Sequence, residues 1–263
     1  MTTPSAIQIF GQDRFGPWDS ITASTGQALV ANLNDGYRDS VWRSSGSNDS
    51  TTESLTIAFM DAAGNAVSRS VDTIILQNTN VSSVRAMVQD AQGNQTVIQS
   101  LQRRLMGQSQ LPGAVTDSDA IISLGTTVSC VQITLYFDAT QTANQDKYIG
   151  ELRLVQSVAQ PSVLSAWKRK DAAKSGNTRL ADGHLLAWQE WQRCEGTLTL
   201  QNLGKADHDA IIAALAAYDW LTVAFCYSFD PTQIFELRVT EPPTESFDRK
   251  AQLYTLELAL KER

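Results

Sequence analysis

Apolar residues in the first 155 positions come in short, β-branched groups separated by polar turn formers. The groups are Leu55-Thr56-Ile57-Ala58-Phe59, Thr73-Ile74-Ile75-Leu76, Val84-Arg85-Ala86-Met87-Val88, Val131-Gln132-Ile133-Thr134-Leu135-Tyr136-Phe137 and Glu151-Leu152-Arg153-Leu154-Val155. Several alternate apolar with polar positions, which marks a strand with one face buried. Between them stand Asn34-Asp35-Gly36, Ala63-Gly64-Asn65, Gln92-Gly93-Asn94 and Pro112-Gly113. Such residues supply positive φ, a fixed φ or local side-chain acceptors to tight turns. Many short strands with regular turns and little helical periodicity predict a β-sandwich.

The pattern changes near residue 160. Gln160-Pro161-Ser162 ends the last strand, and the polar stretch Trp167-Lys168-Arg169-Lys170-Asp171 to Lys174-Ser175-Gly176-Asn177 reads as a boundary or surface loop. Two domains are therefore expected, 1–158 and 159–263. In the second, Leu185-Leu186-Ala187-Trp188 and Thr197-Leu198-Thr199-Leu200 precede a helix over 207–219, whose apolar stripe is Ile211, Ile212, Leu215 and Tyr218. Asp207 and Asp209 fall where carboxylates can cap its first amides. Strands resume at 221–225, 235–239 and 253–258, so this half is α+β, with one helix across an antiparallel sheet. The fold class expected for the chain is mainly β.

Composition narrows the function. The chain holds 263 residues, 42% apolar and 19% charged, with 21 basic and 28 acidic groups and a net charge of −7. That balance argues against a nucleic-acid partner, which calls for a basic face. No apolar run reaches the roughly 20 residues of a membrane-spanning helix, so no membrane insertion is expected. Residues 1–15 show no basic stretch followed by an apolar one, so no secretion signal is expected either. The three cysteines, Cys130, Cys194 and Cys226, lie beside strand-like residues without metal-ligand spacing and read as buried, reduced thiols. Only His184 and His208 could act as bases at neutral pH, the first in a turn and the second exposed in the first helical turn. No nucleophile elbow, phosphate loop, dinucleotide fingerprint or zinc-protease helix occurs, so no enzymatic activity is expected.

Two segments carry more specific signals. The first joins Ile21-Thr22-Ala23-Ser24, the stretch Ala31 to Ser44 with Asn32, Asp35-Gly36 and Trp42, the strand at Leu55, and the closing strands Ile133-Thr134-Leu135 and Gly150-Glu151-Leu152-Arg153-Leu154. This order resembles the discoidin family (coagulation-factor type C) of galactose-binding-like jelly rolls over residues 22–157. The resemblance implies a jelly-roll sandwich, with a structural calcium ion held by Asn32, Asp35 and Glu151. It also implies a glycan-binding end formed by Tyr37, Arg38 and Arg43. The second segment runs from Arg179-Leu180-Ala181-Asp182-Gly183-His184 through Gly196 to Leu200, the helix, and the strands that follow Phe225. It is similar in pattern to the tail-tube-like split barrel of tailed-phage distal tail and baseplate proteins, although there the tube-like domain comes first. That similarity implies a structural virion protein, made in the host cytoplasm and placed in the virion tail. Its partners would be its own copies in a hexameric ring, and other tail and baseplate proteins. The alternative is a carbohydrate-binding module protein that attaches to host or environmental glycans. Apart from the structural calcium, no cofactor is expected.

Overall fold

A computed structural model describes residues 6–37, 39–46, 51–102, 118–141, 144–161, 165–179, 185–226 and 233–262. The chain opens with β1 (Ala6–Phe10), β2 (Ser20–Ala23), a 3-10 helix (Gln27–Asn34), β3 (Trp42–Arg43) and β4 (Glu53–Ala58). Next come β5 (Arg69–Thr79), β6 (Val81–Gln89), β7 (Gln95–Gln102), β8 (Ser118–Cys130), β9 (Gln132–Thr140) and β10 (Tyr148–Val155). The remainder holds β11 (Ser157–Ala159), β12 (Ser165–Arg179), β13 (Leu185–Leu203), α1 (Lys205–Ala217) and β14 (Leu221–Cys226). It ends with β15 (Gln233–Val239), β16 (Thr244–Asp248) and β17 (Leu253–Glu262). No helix among the described residues is long and apolar enough to cross a membrane.

These elements form two units. The first, Gln12–Ser157 with Ser228–Gln233, is the jelly-roll sandwich. Its sheets run β3-β10-β5-β8 and β2-β4-β9-β6-β7. In β4 the alternation works as expected: Leu55 and Ile57 are fully buried, whereas Ser54, Thr56 and Ala58 are half-buried. With Phe59, Ile74, Leu76, Ile133, Leu135, Leu152 and Leu154 they fill the space between the sheets. β5 and β10 do not alternate, because Ile75, Gln77, Glu151, Arg153 and Val155 are buried too. That is why Ile74-Ile75-Leu76 is a continuous apolar run.

Two hairpin turns of this unit repeat one sequence, Asp-Ala-x-Gly-Asn, at 61–65 and 90–94. In each, one carboxylate oxygen accepts two backbone N–H bonds, Ala63 at 2.9 Å and Asn65 at 2.8 Å on Asp61, Gln92 and Asn94 at 2.9 Å on Asp90. The asparagine amide donates to the other oxygen. Gly64 and Gly93 sit at φ of 81° and 84°, where a side chain would be strained. The bonds from Asn65 and Asn94 hold both carboxyls below the usual range.

At the start of the unit, Asp19 and Arg69 clamp the chain from Arg14 to Asp19 onto β5. Asp19, whose side chain is 1% exposed, accepts from Gly16 N at 2.7 Å and Met60 N at 2.9 Å, and pairs through both oxygens with the Arg69 guanidinium. That guanidinium also donates to the Arg14 carbonyl and lies 5.0 Å over the Phe59 ring. A Cβ on Gly16 would meet it at 2.7 Å, so a side chain there would push the guanidinium out of the clamp.

The second unit comprises Met1–Gly11, Val158–Tyr227 and Ile234–Arg263. It is one eight-stranded sheet ordered β11-β1-β14-β15-β17-β13-β12, with β16 also paired to β17, and with α1 packed against β17. Ile7, Ile9, Leu198, Leu200, Ile211, Phe225, Leu237, Leu256 and Leu258 form its core.

Four expectations are corrected here. Residues 6–11 do not join the sandwich: β1 pairs antiparallel with β14, Ile7 opposite Phe225 and Ile9 opposite Val223, a pairing invisible to local periodicity. The basic, polar stretch 167–177 is not a loop but most of β12, whose backbone is paired with β13 from Ser165–Leu200 to Arg179–Leu185. The helix is uncapped by a side chain, with Gly204 at the N-cap; Asp209 pairs instead with Lys205, which with His208 keeps its carboxyl below the usual range. His208 is buried, because it lies three residues before Ile211 on the inward face. Its ring stacks on Tyr254 at 4.1 Å, with its nitrogens 3.0 Å from Asp209 and 3.2 Å from Glu245. His184 lies outside the described residues. Cys130 and Cys194 are buried free thiols, and burial pushes Cys130 up to about 11.

Candidate functional site

The sequence-selected residues gather where the 3-10 helix meets β3 and β10. Gly26 starts the helix at φ 65°, and a Cβ there would come within 2.2 Å of the Arg43 carbonyl, so only glycine lets the chain cross β3 so closely. Leu33 anchors the helix in the core, and the Asn32 amide donates to the Val41 carbonyl at 3.0 Å, closing the excursion between them. Asp35 Oδ1 accepts from Tyr37 N at 2.7 Å, and Gly36, at φ 79°, donates its N–H to Glu151 Oε1 at 2.6 Å. Ser40 N donates to Tyr37 O at 3.0 Å. The turn is thus held by backbone bonds on both sides of Tyr37, while the Tyr37 side chain is outside, 71% exposed.

β3 then carries Trp42 inward and Arg43 outward. Trp42 is fully buried, its ring centroid 6.0 Å from that of Phe137, and its indole N–H donates to Thr25 O at 3.2 Å. Arg43, opposite Tyr148 in the β3–β10 pairing, is exposed and holds its guanidinium 5.3 Å over the Tyr148 ring. A planar cation on an aromatic face is a fixed donor set rather than a freely swinging chain.

Asp35 and Glu151, 116 positions apart in sequence, therefore meet at one turn. Asp35 is exposed, whereas Glu151 is 2% exposed and has the Arg153 guanidinium 3.5 Å from its second oxygen. Among the described residues no three His, Cys, Asp or Glu side chains are grouped to hold a metal. Asp35, Glu151 and the turn's carbonyls are nonetheless hard oxygen donors, the kind calcium takes. The Asn32 side-chain amide is committed to the Val41 carbonyl, which leaves its side-chain oxygen as a further hard donor near the turn. Arg38 lies outside the described residues.

Comparison with known proteins gives partial likenesses only. No family model and no curated protein matches this sequence. Among solved structures, a family 32 carbohydrate-binding module of NanJ from Clostridium perfringens, in complex with galactose, is 13% identical over 57% of this chain and 99% of that one, with a TM-score of 0.40. The C-terminal domain of a chitobiase from Bacteroides fragilis is 16% identical over 56% of this chain and all of that one, at a TM-score of 0.40. A two-domain protein of unknown function from the same species is 19% identical over 58% of this chain and 48% of that one, at 0.44.

Sequence reasoning missed the residues that stiffen this end of the sandwich. Glu53, buried, accepts from the Ser24 hydroxyl at 2.5 Å and the Thr25 hydroxyl at 2.9 Å, fixing the strand that precedes Gly26. Lys147, fully buried, donates from Nζ to Thr51 O at 2.8 Å, and its backbone N–H bonds the Ser44 hydroxyl. A glutamate in an alternating strand was a visible signal, since its position shares the inward face with Leu55 and Ile57.

Proposed function

We propose that the jelly-roll unit is a non-catalytic glycan-binding module whose contact surface is formed by Tyr37, Arg38 and Arg43. The observation that carries this reading is Tyr37, a large aromatic ring 71% exposed on a turn locked by the Gly36–Glu151 and Ser40–Tyr37 bonds. Rigid aromatic surface binds with little loss of side-chain freedom, and the flat face of a tyrosine suits the apolar face of a sugar ring. Arg43, held over Tyr148, supplies fixed donors for neighbouring hydroxyls. The ring-forming tail reading is supported by the strand and helix pattern of the sequence alone.

On a glycan array the wild-type chain is expected to bind a defined group of saccharides, and Tyr37→Ala and Arg43→Ala each to weaken the best ligand by about tenfold, or about 1.4 kcal/mol. A wild-type chain silent across the array sinks the proposal.

We further propose that a calcium ion sits on the same turn, held by the Asp35 and Glu151 carboxylates, with Asn32 setting the loop. Bound calcium would supply a positive charge that ties two distant strands of chain together. EDTA is expected to lower the melting temperature, by the equivalent of about 2.7 kcal/mol if free calcium had stood a hundredfold above its Kd. Glu151→Gln should abolish that sensitivity; identical melting with calcium and with EDTA would exclude the ion.

A further inference from the structure

The face of the eight-stranded sheet turned away from its core carries a depression where β17 changes partners. Leu198, Leu258 and Leu260 belong to the core, so the residues that alternate with them, Thr197, Ala259 and Lys261, stand on the opposite face. Along one edge of β17, β15 pairs with residues 260–262 and β16 with residues 253–257. Thr240 N still donates to Ala259 O at 2.9 Å, and then Pro242-Pro243, with no N–H to give, separates the two pairings.

An open depression of about 510 Å³ lies there. That falls in the roughly 300–1,000 Å³ range of small-molecule sites. Lys168 on β12 is opposite Thr197, Thr197 is opposite Ala259, and Ala259 is bonded to Thr240 at the end of β15. The methyl of Ala259 is the smallest side chain in that row, which makes it the floor. Glu195 and Lys261, paired at 2.8 Å in the next row, form one wall.

The groups around this floor are unequal in sign. Lys168 is exposed, and Lys261 is directly opposite Arg238, whose guanidinium lies 6.0 Å over the Trp220 ring. Like charges directly across a ladder repel each other. Glu195 offsets one of these three cations, which leaves a local net +2 in a chain of −7. Glu257, one row further along β17, and Glu236, two residues before Arg238, bound the positive area. The Thr240 hydroxyl donates to the Ala259 carbonyl at 3.3 Å, so towards the depression it can only accept, as the Glu195 carboxylate does. Ammonium donors beside such acceptors match a ligand that carries both an oxyanion and hydroxyl groups.

We propose that this depression binds a small hydroxylated oxyanion, a sugar acid or a polyol phosphate. Lys168 and Lys261 hold the anionic group, Thr240 and Glu195 accept from the hydroxyls, and the Ala259 methyl supports the carbon skeleton. The site lies wholly in the second unit and is independent of glycan binding by the jelly roll.

The test follows the backbone amide resonances of the full chain by NMR as glucuronate, glycerophosphate, glucose or inorganic phosphate is added. Glucuronate and glycerophosphate are expected to shift Thr197, Thr240, Ala259 and Lys261 with a Kd of about 1 mM or below, and more weakly in high salt. Binding of one and not the other supports the site and identifies its anion. Glucose should bind at least about tenfold more weakly, the loss expected where a charge-assisted bond is missing. Lys168→Ala should weaken binding by about tenfold for the same reason. Ala259→Leu fills the floor and should abolish it. Far-ultraviolet circular dichroism checks that each variant is folded, and Lys168→Ala, at an exposed position, decides the matter if the leucine variant is not. Shifts confined to the turn around Tyr37 and Arg43 would place the binding in the jelly roll and overturn the proposal. So would inorganic phosphate binding as tightly as glycerophosphate, unchanged affinity in the folded variants, or no saturable shift with any of the probes.

Discussion

Trp42→Ala is expected to destabilise the jelly-roll unit by about 3–5 kcal/mol, the range for removing a large aromatic side chain from a packed core. Trp42 is fully buried, rests against Phe137, and gives its indole N–H to the Thr25 carbonyl. Alanine therefore leaves both a cavity and an unpaired buried acceptor. Trp42→Phe separates the two effects: it keeps most of the volume and loses the bond, and a loss nearer about 1–3 kcal/mol is expected. Urea unfolding followed by circular dichroism measures both. The loss should extend to glycan binding, because β3 carries Arg43 beside Trp42 and the Gly26 crossing sits on the same strand. A Trp42→Ala protein within about 1 kcal/mol of wild type would show that this end of the sandwich is not packed as described.

Asp19→Ala is expected to cost about as much, roughly 3–5 kcal/mol, for an electrostatic reason. Arg69 would keep its largely buried guanidinium, 19% exposed, and lose its only carboxylate partner among the described ion pairs. The N–H groups of Gly16 and Met60 would lose their acceptor as well. Asp19→Asn retains an acceptor and the shape but not the charge, and should fall between alanine and wild type. The double replacement Asp19→Ala with Arg69→Met should recover part of the loss, since it removes the stranded charge along with its partner. Equal melting of wild type and Asp19→Ala would mean that the clamp carries no net stability.

Much of the architecture was legible because burial imposes a period of two on strands that have one wet face. Leu55, Ile57, Ile133 and Leu135 all sit where that alternation puts them. The helix stripe held for the same reason, with Ile211 fully buried and Ile212, Leu215 and Tyr218 packed at its margin. β12 was misread because a polar edge strand has no apolar face for periodicity to reveal; its order comes from the β13 backbone opposite. β1 carries a clear strand pattern, but its partner β14 lies beyond the whole sandwich in sequence, and local pattern says nothing about partners so remote. At the site, the family resemblance brought Asp35 and Glu151 together, and the Gly36–Glu151 bond is how the chain does it. The Arg153 guanidinium beside Glu151 was not foreseen, because a strand arginine two residues away looks solvent-facing until the second face of β10 is known to be buried.

The sandwich leaves the other unit after β1 and returns to it at β11, and these two strands are hydrogen-bonded neighbours in one sheet. The chain from 12 to 157 thus begins and ends at neighbouring strands of one sheet, as the loop of a hairpin does. An insertion of that kind can be gained, lost or exchanged in descent without re-registering a single strand of its host. The sheet would keep its edges, and whatever they join, while the inserted cargo was free to change what it recognises.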